Sequence, residues 1–148
     1  MGYTLAIGEK EIDNSDPEYH FTRVKNERHD QAPAFGEPTD HENARWPSYS
    51  GWSDCMTEAG MFDLFFDKDN GLLNEHPGYK TITPALVDTF RARKKAFEEK
   101  YPSVTAEYLD DGHDGFITPN ATYCRIVWLD YWLTWALAHC KEPIFFNS

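Results

Sequence analysis

Basic residues are in short supply: 14 Lys and Arg stand against 25 Asp and Glu, and the chain carries a formal charge of −11. Such a surface repels phosphate backbones and anionic headgroups, which argues against direct nucleic-acid binding and against a charged membrane. Cysteine is scarce as well. Cys55, Cys124 and Cys140 are odd in number, far apart, and contain no Cys-x-x-Cys pair. Neither a disulfide framework nor a thiolate zinc site is indicated, and reduced thiols in a cytoplasmic compartment are expected. The opening Met1-Gly2-Tyr3-Thr4 leads into no apolar run with a basic flank, so no secretory leader is expected. The nine glycines are scattered, forming no phosphate-cradling loop, and no nucleophile elbow or Ser/His/Asp order is present. No catalytic residue, metal ligand or cofactor is assigned from the sequence.

Aromatic residues are plentiful at 16%, which argues against disorder, and 148 residues suffice for one domain, 1–148, with its own core. Tyr3, Leu5 and Ile7 alternate with Thr4 and Ala6, the period-two pattern of a half-buried strand. Turn chemistry at 13–17 precedes a second alternation over 19–25, so an N-terminal β-hairpin or small sheet is expected. Residues 26–49 are polar and irregular, with Pro33, Pro38 and Pro47, and read as a long loop within the domain. Trp52, Cys55, Met56 and Ala59 then share one helical face, in a helix opened by Ser50 and ended near Gly60.

Two further helices are signalled by Ile-Thr-Pro, at 82–84 and at 117–119. In each, Thr serves as N-cap, Pro stands at the first helical position, and the preceding Ile can pack back onto the helix. The first buries Leu86, Val87, Phe90 and Phe97 and stops at Pro102. The second is apolar nearly all round from Ile126 to Ala138, interrupted by Asp130 and Thr134, and is expected to be the central helix. It is shorter than the ~20 apolar residues of a membrane span. The fold class is therefore α+β: a small N-terminal sheet packed on about three helices.

Several segments imitate known chemistry. Asp110 to Thr118 resembles a calcium loop, but Gly112 and Ala121 fall where the third and twelfth ligands belong, and Asp67–Gly71 misplaces its glycine. His20, His29 and His41 lie near Asp30, Asp40 and Glu42 without the spacing of a zinc site, and solvated loop histidines are the plainer reading. Asp130, in so apolar a helix, must be paired, hydrogen-bonded or protonated; a Tyr or Trp donor in the core is the expected partner. Arg91, Arg93, Lys94 and Lys95 read as a solvated helix face with Lys94–Glu98 and Lys95–Glu99 pairs. The richest cluster is Arg45-Trp46-Pro47-Ser48-Tyr49-Ser50-Gly51-Trp52. Indoles, a phenol and a guanidinium there precede a helix N-terminus, whose N–H groups attract anions. Arg45, Trp46, Tyr49, Ser50 and Trp52 are the expected ligand-binding residues; an aromatic plug over the core is the competing reading.

The runs Trp46–Trp52 and Phe65–Leu73 resemble small uncharacterised proteins of phages and bacteria. The resemblance implies an accessory protein that blocks a host factor or sequesters a signalling nucleotide, and carries no catalytic residue across. The expected function is a non-catalytic binding protein for a protein partner or a small anionic ligand. Two alternatives stand beside it: a small hydrolase or transferase using His29 or His41 with a carboxylate, and an acidic nucleic-acid mimic built on Glu107, Asp110, Asp111 and Asp114.

Overall fold

The computed structural model describes residues 2–33, 41–108 and 120–148. They form the strands β1 (Leu5–Asp13), β2 (Phe21–Val24), β3 (Ala44–Arg45), β4 (Gly78–Thr81) and β5 (Pro143–Asn147). The helices are α1 (Tyr49–Glu58), α2 (Phe62–Phe66), α3 (Pro84–Lys100), α4 (Pro102–Glu107) and α5 (Ala121–His139). The α+β reading holds. The strands make one antiparallel sheet in the order β2-β1-β5-β4, with β3 also pairing β1. β2 and β3 use different stretches of β1, since Lys10 faces Val24 while Leu5 faces Arg45.

The expected hairpin is present, and Asp13 and Asp16 close its turn by accepting from the Ser15 and Glu18 amides. β4 and β5 were not expected. β5 is the pivotal strand, pairing β1 from Leu5–Asn147 to Glu9–Pro143 on one side and β4 on the other. Glu9 secures the approach to it, its carboxylate accepting from the Lys141 and Glu142 amides at 2.9 and 2.7 Å. Those two amides hold the Glu9 carboxyl below the usual carboxylate range.

Alternation gives the sheet two unlike faces. Leu5, Ile7 and Phe145 face the main core with the buried α5 residues Trp128, Leu129, Trp132, Leu133 and Ala136. Ala6, Val24 and Ile144 form a separate small cluster on the other face, flanked by Ala44 and Phe146. α5 is the central helix, as its composition indicates. Its cap is Asn120, whose side chain accepts from the Tyr123 amide; the expected Thr118-Pro119 start lies outside the described residues. Thr83 caps α3 as expected, accepting from the Leu86 amide.

α1 is capped by Ser48 and begins at Tyr49, one position before the expected Ser50 start. It ends in a Schellman motif: Gly60 donates to the Thr57 carbonyl and Met61 to that of Met56. Gly60 has φ 71°, the left-handed region that glycine enters without strain. No described helix is long and apolar enough to cross a membrane.

Candidate functional site

The segment 26–49 is tied down at both ends. Arg28 and Glu42 form an antiparallel bridge, and the His29 and Asn43 amides donate to the carbonyls of His41 and Glu27. Asn43 is buried and fully used: its Oδ1 accepts from the Glu27 amide while its Nδ2 donates to the carbonyls of Ile7 and Lys25. It thereby links three chain segments and holds β3 against the edge of β1. A polar side chain so satisfied can stay buried without loss.

β3 sorts the expected ligand residues by parity. Arg45 turns inward and is completely buried, its guanidinium 5.7 Å over the Trp128 ring and its Nη1 donating to the Ala44 carbonyl. Trp46 turns outward and is half exposed, at 50%. Trp52 is fully buried in α1, edge-on to Phe65 and beneath Arg125. Tyr49 and Ser50 lie on the surface at the start of α1. Tyr49 packs on Tyr3 and on His76, at centroid distances of 4.5 and 5.9 Å. The five residues are thus divided. Trp46, Tyr49 and Ser50 are accessible, whereas Arg45 and Trp52 support them from the core and present nothing to an outside ligand.

Trp46 walls two adjoining hollows on the outer face of the sheet. One, of about 330 Å³, lies over Ala6, Val24 and Phe146 with Glu11 and Arg23 at its rim. The other, of about 290 Å³, is bounded by Asn26, Glu27, Arg28 and Glu42. Ala44, Ala6, Phe146 and Tyr79 pair laterally across β3, β1, β5 and β4, extending an apolar row from this point. Phe21, stacked on Tyr19, is 58% exposed at the far edge on β2. Comparison with protein families, with curated proteins and with solved structures finds no significant match. The site therefore has to be read from its own chemistry.

The other expectations fare differently. Asp130 is paired, but with cations: Arg91 Nε at 3.1 Å and Lys94 Nζ at 3.4 Å, with Thr134 donating from one turn away. Among the described residues no core Tyr or Trp serves it. The basic cluster is likewise spoken for in large part, since Arg93 forks onto Asp63 at 2.8 and 2.9 Å and Lys94 also meets Glu98. The paired hydrogen bonds from the Arg93 guanidinium hold the Asp63 carboxyl below its ordinary value.

His29 is not solvated. It sits between Tyr131, Trp132 and Trp135, bonded to the Tyr131 hydroxyl at 2.8 Å and 3.5 Å from Glu27. His41 spends its Nδ1 on the Ala32 carbonyl. Asp67 accepts from the Asp69 and Asn70 amides and so closes a turn; Asp110 to Thr118 lies outside the described residues. Among the described residues no cluster of three or more potential ligands could hold a metal ion.

One polar couple escaped the sequence. Asn147 Nδ2 donates to the carbonyls of Leu72, Glu75 and Gly78, which leaves Oδ1 to face His76 Nδ1 at 2.5 Å. An amide oxygen can only accept, so Nδ1 carries the hydrogen between them, while Nε2 lies 3.4 Å from the Tyr49 hydroxyl. The two residues are 71 positions apart, and only the pairing of β4 with β5 brings them together.

Proposed function

We propose that this chain is a non-catalytic binding protein that docks a partner protein of opposite charge on the outer face of its sheet, with Trp46 as the anchor. The observation that carries this reading is the half-exposed Trp46 beside an apolar cross-strand row. A large indole next to shallow apolar hollows, rimmed by Glu11, Glu27 and Glu42 together with Arg23 and Arg28, has the makings of an interface hot spot within a charged ring. A net charge of −11 would steer a basic surface towards it. Blocking a host factor, the role implied by the resemblance to phage accessory proteins, fits this mode of action. Arg45, buried against Trp128, contributes from below by fixing the strand that displays Trp46.

The test compares wild type with Trp46→Asp, whose exposed side chain can change without disturbing the core. A partner captured by wild type is purified and titrated against both proteins and against Lys95→Ala on remote α3. Binding should weaken at high ionic strength and at least about 2 kcal/mol should be lost on Trp46→Asp. A partner held equally well by Trp46→Asp, or binding confined to small anionic metabolites, overturns the proposal.

A further inference from the structure

A second surface stands apart from the sheet face. Val127, Asp130, Tyr131, Thr134 and Trp135 recur at three- and four-residue steps and so form one stripe along α5. Trp128, Leu129, Trp132, Leu133 and Ala136 of the same helix are buried in the core. Along the stripe all five residues are only half-buried. Arg91 of α3 flanks one side and Pro33 the other, leaving a groove of about 350 Å³, within the size range of small-molecule sites.

The polar groups of the groove are largely committed. The Tyr131 hydroxyl is bonded to His29, and the Asp130 carboxylate to Arg91, Lys94 and Thr134. Arg91 is the exception. It meets Asp130 through Nε alone, its side chain is 57% exposed, and neither terminal nitrogen has a protein partner among the described residues. Two parallel N–H groups therefore remain at the mouth of an apolar slot. That is the fork geometry that suits a carboxylate.

Local charge narrows the class further. Asp130 offsets one of the two cations and Glu98 pairs with Lys94, so the neighbourhood does not accumulate positive charge. In a chain of −11 a dianion such as a phosphate monoester is poorly served here. We infer that the α5 groove binds a small amphipathic monocarboxylate, its aromatic or aliphatic body lying over Val127, Tyr131 and Trp135 and its carboxylate forked onto Arg91. The Asp130 contact orients the guanidinium while leaving its outer edge for the ligand.

The test uses phenylacetate, 1-naphthylacetate and octanoate, each beside its neutral primary amide, titrated against the full chain. Binding is followed by tryptophan fluorescence and by thermal shift. At least one acid should bind and its amide should bind about tenfold more weakly or not at all, the loss expected for a charge-assisted hydrogen bond. Arg91→Gln should impose a similar loss. Val127→Trp keeps the Arg91–Asp130 pair but fills the slot, and should abolish binding even if Arg91→Gln proves unstable. Equal binding of acid and amide overturns the inference. So does acid binding that survives either variant, or no binding of any of the three acids in the millimolar range. Trp46→Asp should leave the titration unchanged, so failure here and failure of the docking reading are separately visible.

Discussion

At the scale of single residues, direction of the side chain decides more than residue type. Arg45 and Trp46 are neighbours in sequence, and their chemistry alone made both candidates for one site. The register Leu5–Arg45 sends the guanidinium into the core and the indole to the surface. Composition cannot supply that parity, because β3 is too short to show an alternation.

The core is more legible. Trp132 is fully buried, and its Nε1 has no acceptor among the described residues. Trp132→Ala should cost ~3–5 kcal/mol by chemical denaturation, whereas Trp132→Phe should cost clearly less because it also removes an unsatisfied donor. Tyr108 and Tyr123 offer a second check. Burial lifts the Tyr108 phenol to about 12, and burial with the Glu98 contact lifts that of Tyr123. Below pH 10 both phenols are neutral whether the chain is folded or not. Above it the unfolded chain releases protons that the folded chain retains, so stability should fall from pH 10 towards 12. Tyr108→Phe should flatten that decline in stability measured against pH.

Among the elements, those announced by local chemistry were readable and those defined by distant partners were not. Thr83-Pro84 marks the start of α3, and Gly60 the end of α1, through hydrogen bonds made within a few residues. β5 is the opposite case. Pro143-Ile144-Phe145-Phe146-Asn147 shows no clean alternation because it lies between β1 and β4 with apolar clusters on both faces. The cap of α5 lies between the two cases. Asn120 is an ordinary capping residue, but the preceding Thr-Pro imitates the device at Thr83-Pro84. Asn120→Ala should lower stability by about 1 kcal/mol, readable in a urea titration, since the Tyr123 amide loses its acceptor.

For the molecule as a whole, charge and the uncovered sheet face act together. At −11, copies of the chain repel one another, which opposes association through the aromatic side chains exposed on the sheet. Lowering the pH shrinks that charge, so light scattering should report self-association on acidification, reduced in Trp46→Asp. Calcium should be immaterial. The Asp67 carboxylate is engaged in its own turn, and the 110–118 segment has Ala121 where the twelfth ligand would stand. EDTA and millimolar Ca²⁺ should each leave the melting temperature unmoved; a calcium-dependent rise would restore the loop as a metal site.

The central position of β5 bears on the order in which the molecule can be assembled. β1 meets β2 almost at once during synthesis, but its other edge pairs with a strand made well over a hundred residues later. At ribosomal rates of ~5–20 residues per second that interval is on the order of ten seconds. Throughout it, Leu5 and Ile7 have neither Phe145 nor the finished α5 to cover them. Nascent β1 therefore stays exposed over that interval, until β5, the last of the described strands in chain order, joins β1 to β4.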